Sequence, residues 1–338
     1  MGGVKVVNRL AELLSQKNYE VTLVYPLEID LGLLQTLKNT IKKYLDKRNN
    51  IVEKLYYKPA SKVNAIVVKN ISEKYIPSGD YIVAVGWQTA KPLASLSLQK
   101  GEKIYFLQSY ETYFANSQRV KESYHLKMQK IALSNWIMKE MIKIGTKAIG
   151  PIGNAINKEE FFVESNIQRK NSLLMLYHPA KIKNVGFGIE VLKLLKKRDE
   201  NFSAIIFSAR QPIHKIPHWV KVIIRPDIAT LRRLYNISKI YFSTSRWEGW
   251  GLTPMEAMAC GCAVVAVKNQ GISEFLENEK NSYIINHKNK SQAVDKIIHL
   301  LKNEKLMQKF VANSEETLKK FSEDKVLANF ENCLKEKV

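Results

Sequence analysis

The chain has 338 residues, 45% hydrophobic and 25% charged, which is enough for two ordinary cores and too apolar for a disordered chain. No apolar run reaches the roughly 18–20 residues of a membrane span, and no signal-peptide layout opens the chain. Cys260, Cys262 and Cys333 make neither a disulfide framework nor a four-ligand zinc site by themselves, so a reducing compartment is expected.

In chain order, Val4, Val7, Leu10, Leu13 and Leu14 repeat at helical spacing, and Asn18 suits the helix exit. Glu20–Pro26 reads as a strand and Leu31–Lys47 as a long amphipathic helix. Strands are expected over Val63–Val68, Asp80–Gly86, Lys103–Gln108 and Lys130–Ser134, with helical segments between most of them. Phe161–Asn171 is polar after its two phenylalanines and reads as a break. The alternation then restarts with strands over Ser172–Tyr177, Ala204–Phe207, Lys221–Ile224, Lys239–Ser245 and Cys262–Val267, and helices over Val185–Lys197 and Ile228–Asn236. The last fifty residues read as helical.

Short buried strands alternating with helices imply doubly wound parallel α/β sheets, here two in tandem. The expected division is 1–165, 166–320 and a C-terminal helix over 321–338 that packs back toward the first domain. In a doubly wound sheet the first strand is central and leads into a Gly-rich loop and helix. The chain starts at Met1-Gly2-Gly3, so that first strand is expected to be missing.

The informative stretch runs from Ser243 to Val267. A strand ends near Ser245, a loop holds Gly249 and Gly251, and Thr253-Pro254-Met255-Glu256 opens a helix. Thr253 is expected as its N-cap, Pro254 as its first residue and Glu256 as the partner in a capping box. Ligands of open α/β sheets bind where strand carboxyl ends meet helix N-termini, and free N–H groups there attract phosphate. Glu248 and Glu256 flank this anion site, and carboxylates are good acceptors for sugar hydroxyls. A nucleotide-sugar offers both a phosphate and hydroxyls.

EGWGLTPMEAMACGCAVVA resembles the signature of the retaining glycosyltransferases of the GT-B fold, group 1 (family GT4). The spacing of the two glutamates carries little of this, since it recurs at Glu12/Glu20, Glu20/Glu28 and Glu315/Glu323. The Gly, Leu, Ala-Met-Ala and Val-Val context carries it. Pro151–Phe161, Leu176–Asn184 and Asn269–Leu276 are similar to further segments of the family, as is Gly2-Gly3 before an amphipathic helix. After the first strand of the second domain the family has an arginine and, five residues on, a lysine or arginine directed at the donor diphosphate. This chain has His178 and Lys183 there, with Lys181 between. Tyr105–Phe114 resembles a Gln-x-Tyr-Glu segment of rhamnosyltransferase-like members.

The resemblance implies two Rossmann-like domains facing across a cleft, and transfer of a sugar from a nucleoside-diphosphate sugar to a glycan or lipid-linked acceptor with retention. Glu248 would face the donor sugar and Lys183 would neutralise the leaving diphosphate. Glu256 would bind ribose hydroxyls. Gly249, Trp250, Gly251, Leu252 and Thr253 would line the donor, with Lys181 or His178 beside it. Gln108, Glu111, Gly2 and Gly3 would lie toward the acceptor or sugar. No cofactor or metal is expected, and no Asp-x-Asp pair is present.

The bland readings stand beside these. A capping box alone accounts for Glu256, and solvated surface accounts for Lys181 and Lys183. Trp247 and Trp250 either stack on a ligand or shield the loop. Cys260 and Cys262 read as buried small residues. Pro212 and Pro217 forbid the helix that would bring His214 and His218 to one metal. The sequence has 53 basic and 32 acidic residues, net +21, of which residues 1–150 carry 23 and 12, net +11. This suits an anionic membrane surface or a phosphorylated substrate, and equally a lysine-rich composition. No nucleic-acid signature appears, so none is expected as a partner. A cytoplasmic enzyme, peripheral at the inner face of a membrane, is the expectation. A GT-B-like nucleotide-sugar epimerase or a non-catalytic binding protein remains the alternative.

Overall fold

A computed structural model of the chain describes residues 2–29, 62–113 and 117–336. The helix expected over Leu31–Lys47 lies outside them, as does Phe114. Two compact units form, one of residues 1–153 with 326–338 and one of residues 154–325. Among the described residues every strand pairing is parallel, as suits largely apolar strands alternating with helices.

The first unit opens with helix α1 (Gly2–Gln16), which buries Leu10 and Leu13. Asn18 follows it at φ 66°, the left-handed exit its side chain tolerates. Strands β1 (Thr22–Pro26) and β2 (Asn64–Val68) pair with each other. A second sheet joins β3 (Tyr81–Val85), β4 (Glu102–Leu107) and β5 (Gln129–Ala132) in that order. Helices α2 (Trp87–Ala94), α3 (Ser117–Tyr124) and α4 (Asn135–Lys143) lie between and after these strands. No pairing joins β1 to β3 among the described residues, and the apolar Tyr81 and Val83 of β3 are each 37% exposed.

The second unit is a six-stranded sheet. Its strands are β6 (Lys170–Tyr177), β7 (Ser203–Ser208), β8 (Lys221–Ile224), β9 (Ser238–Ser243), β10 (Ala263–Val267) and β11 (Ser282–Ile285). They stand in the order β11-β10-β9-β6-β7-β8, the two-way winding of a nucleotide-binding sheet. Helices α5 (Val185–Arg198), α6 (Ile228–Ile237), α7 (Leu252–Ala259), α8 (Lys290–Lys302) and α9 (Glu304–Leu318) accompany it. Leu173, Phe242 and Val265 from the central strands and Leu192, Ile297 and Phe310 from helices share one core.

Helix α10 (Glu323–Lys335) belongs from Val326 to the first unit. Phe330 meets Phe106 of β4 edge-on at 6.0 Å, and Gln129 of β5 donates to the Cys333 carbonyl oxygen at 2.6 Å.

Two sequence expectations give way. The polar break over Phe161–Asn171 is fastened to the second unit, because its groups find partners there. Asn236 donates to the Phe162 carbonyl oxygen at 2.9 Å and accepts from Glu164 N–H at 2.8 Å, while Arg232 holds the Glu164 carboxylate at 2.8 Å. Strand β11 was not expected. Its four residues sit between polar stretches, yet Ser282 is fully buried and donates to the Glu277 carbonyl oxygen.

Candidate active site

The sheet order reverses between β6 and β9, and the crevice beyond their carboxyl ends is where such sheets take ligands. The loop after β6 carries His178, Lys181 and Lys183. The loop after β9 carries Glu248 and Gly251. Two hydrogen bonds tie the two loops together. Thr244 Oγ1 donates to the Lys183 carbonyl oxygen at 2.7 Å, and Arg246 N–H donates to the Ile182 carbonyl oxygen at 2.8 Å. Across this seam the Lys183 ammonium pairs with the Glu248 carboxylate at 2.5 Å. Both side chains are mostly buried, so water screens the pair less than it would at a surface. Two of the sequence-expected residues, 65 positions apart, are thereby brought into direct contact.

The expected capping box is not formed. Helix α7 starts at Leu252, and Gly251 precedes it in a left-handed conformation, φ 107° and ψ 63°. Glycine reaches this conformation without strain. A Cβ there would also meet Ile272 Cγ2 at 3.0 Å. With the start set by glycine, Thr253 is already helical, and its hydroxyl bonds Tyr241 instead. Glu256 is then the fifth helical residue, beyond the third position from which a capping box closes. It is 6% exposed and accepts from the Tyr235 hydroxyl at 3.1 Å. Burial raises the pKa of Tyr241, and the nearby charges of Glu248 and Glu256 raise it further, so both acids lie within electrostatic reach of this one phenol.

Trp250 is the shield of the loop. Its ring stacks on Phe275 at 5.8 Å and meets Phe321 edge-on at 5.2 Å, its indole N–H points at Met255 Sδ, and it is 3% exposed. Its ring is thus enclosed by the protein and turned away from any ligand. The loop lies against Gly271, where an added Cβ would stand 2.6 Å from the Glu248 carbonyl oxygen. Asn269 anchors that contact, donating to the Ser245 carbonyl oxygen at 3.0 Å and accepting from Ile272 N–H at 3.2 Å.

His178 is exposed at the end of β6, and its Nδ1 accepts from Ala180 N–H at 3.1 Å. Partial burial lowers its pKa, and the charges of Lys183 and Arg210 lower it further against the opposing pull of Glu248. These charges favour the neutral ring, and with Nδ1 accepting from Ala180 the neutral form carries its proton on Nε2. Lys181 is exposed nearby on the same short helical turn as Lys183. Arg210 is a charged neighbour that no sequence motif marked.

In the first unit, Gly3 of α1 lies beside Gln108, and a Cβ on the glycine would stand 3.2 Å from the Gln108 side-chain oxygen. Gly2 begins the same helix. Glu111 turns inward. Its carboxylate accepts from Trp87 N–H at 2.9 Å, at the N-terminus of α2, and from the Tyr105 hydroxyl at 3.3 Å. Burial raises its pKa. The carboxylate thus helps to hold the start of α2 against β4.

Cys260 and Cys262 are fully buried and form no disulfide. His214 Nδ1 is occupied by the Tyr177 hydroxyl at 2.8 Å, and no group of three metal-ligating side chains occurs among the described residues. None of the described helices is long and apolar enough to cross a membrane.

Residues 157–317 match the family of group 1 glycosyl transferases. The poly(ribitol-phosphate) alpha-N-acetylglucosaminyltransferase of Staphylococcus aureus (strain COL) is 27% identical over 198 residues, 53% of this chain and 40% of that protein. The chain thus spans less than half the length of that relative. Among solved structures, sucrose-phosphate synthase from Thermosynechococcus elongatus superposes with a TM-score of 0.72 at 14% identity, over 97% of this chain and 92% of that one. Anabaena HepE in complex with UDP and glucose gives 0.69 at 15% identity, over 94% and 100%. The chain has the GT-B glycosyltransferase fold, and its residues 157–317 form a glycosyltransferase group 1 domain.

Proposed function

We propose that the chain transfers a sugar from a nucleoside-diphosphate sugar to a hydroxyl of a glycan or lipid-linked acceptor, with retention at the anomeric carbon. The observation that carries this reading is the Lys183–Glu248 pair spanning the switch point of the sheet, beside the N-terminus of α7. In the reaction, the bond from the anomeric carbon to the diphosphate breaks and its electrons stay on the phosphate oxygen. Lys183 and the free N–H groups of the α7 N-terminus offset that charge. Glu248 holds the ammonium in place and faces the sugar. Glu256, fixed by Tyr235, accepts from ribose. The acceptor hydroxyl bonds to the anomeric carbon and gives its proton to the departing phosphate oxygen.

The group 1 match, the S. aureus relative acting on a poly(ribitol-phosphate), and HepE holding UDP and glucose all support this reading. They make UDP-sugars the first donors to try. Metal independence is part of the proposal, so activity should persist in EDTA. The test is release of UDP from UDP-glucose and UDP-N-acetylglucosamine, with and without poly(ribitol-phosphate). Slow release that rises with acceptor supports transfer. Donor isomerisation without release would identify an epimerase, and nucleotide binding without either would identify a binding protein.

A further inference from the structure

The charges at the switch point do not add up to a diphosphate site if only Lys183, Glu248 and His178 are counted. Lys183 spends its charge on Glu248, at 2.5 Å. His178 stands where the resemblance has an arginine, and it is held neutral with Nδ1 occupied. Those three groups together carry no net positive charge, whereas a leaving nucleoside diphosphate carries at least two negative ones.

Arg210 lies on the neighbouring strand's carboxyl end. The β6–β7 register sets Tyr177 opposite Ser208, so the residues just beyond each strand, His178 on one and Ala209-Arg210 on the other, emerge side by side. The loop that carries Arg210 is firmly seated. Buried Ser208 donates from Oγ to the Arg210 carbonyl oxygen at 2.5 Å and accepts from Arg210 N–H at 3.1 Å. Arg225 clasps the same turn, through its N–H to the Ser208 carbonyl oxygen at 2.7 Å and its Nε to the Ala209 carbonyl oxygen at 3.2 Å. The Arg210 side chain itself is exposed, and its guanidinium has no hydrogen-bond or ion-pair partner among the described residues. The backbone is fixed, the charge is unspent, and it acts on His178.

We infer that Arg210 supplies the second cation of the donor diphosphate site, taking from the adjacent strand the role that the resemblance gives to an arginine at position 178. A guanidinium presents paired N–H donors suited to phosphate oxygens. His178 then contributes its Nε2 proton as a neutral donor, and Lys183, its charge balanced by Glu248, still donates an N–H to the leaving phosphate oxygen. This inference rests on the proposed donor site.

Calorimetric titration of the full chain at low salt with UDP and with uridine tests it. Arg210→Gln is expected to weaken UDP binding by about tenfold to a hundredfold, the range for loss of a hydrogen bond to a charged group. Uridine binding and the melting temperature of the free protein should not change, and Arg210→Lys should restore part of the loss. Unchanged UDP affinity in Arg210→Gln overturns the inference. So does a loss found in Lys181→Gln alone, which would give the role to Lys181. If the wild-type chain binds none of UDP, GDP and dTDP, the proposed function fails first, and this inference falls with it.

Discussion

Replacing Gly271 with alanine would put a methyl group 2.6 Å from the Glu248 carbonyl oxygen and 2.8 Å from that of Trp250. Ordinary contact begins at 3.4 Å, so something must move by about 0.8 Å. The Gly271 side cannot retreat easily, because Asn269 ties it to the end of β9 and Ile272 is buried. The Glu248–Trp250 loop must therefore give, and with it the Lys183 pair. Overpacking of this kind costs about 1–3 kcal/mol. That is roughly 2–12 °C in melting temperature for a unit of this size. Misplacing a reacting group by about 1 Å costs on the order of a hundredfold in rate. Gly271→Ala should thus lose far more turnover than stability, measured as UDP release from the donor and as a melting curve on the same sample. Gly186→Ala is the control: it lies in the first turn of α5 with nothing within 4 Å of the added Cβ. It should melt at or slightly above the wild-type temperature, by up to about 1 kcal/mol. Wild-type turnover and melting in Gly271→Ala would show that the loop is not held by this contact, and the reasoning would fail.

Glu256→Gln should melt within a few degrees of wild type, since the amide oxygen can still accept from Tyr235, while UDP affinity falls about tenfold or more. Equal UDP affinity would remove the ribose role. Burial raises the Glu111 pKa, so above the ordinary 4.5 the folded state keeps protons that the unfolded chain has released. Its contribution therefore falls as pH rises through that window. The melting temperature of Glu111→Gln relative to wild type should climb between pH 4.5 and 7; a constant difference would contradict the burial argument. Buried Cys262, its thiol pushed up to about 12, and buried Cys260 should resist alkylation by iodoacetamide at pH 8 in the native protein and react on unfolding. Rapid native labelling would show an open corner after α7.

The strands were readable because parallel strands buried on both faces must be almost wholly apolar, as in Ala263–Val267 or Ser203–Ser208. β11 escaped because it is short, and its first residue is a serine whose burial depends on a partner five positions back. The Ser243–Val267 stretch was readable as a site because glycines and a helix start leave a local record. The capping box was misread because Thr and Glu at the right spacing cannot reveal that Gly251 has already started the helix. Glu111 and Arg210 show the remaining limit. The surroundings of each depend on groups far off in sequence, Trp87 N–H for the Glu111 carboxylate and the β6–β7 register for the placement of Arg210.

Arg169 has a consequence for how the second unit opens. Its guanidinium donates to the carbonyl oxygens of Tyr235 at 3.1 Å, Ser238 at 2.9 Å and Cys260. It therefore closes the ends of both α6 and α7, and the Tyr235–Glu256 bond joins the same two helices along their length. Two helices latched at two points exchange their amide hydrogens as one cooperative block, because neither can fray from its carboxyl end while the other stays closed. A ligand held at the start of α7 would then slow exchange throughout α6, and in the Glu164 segment fastened to it, although none of those amides touches the ligand.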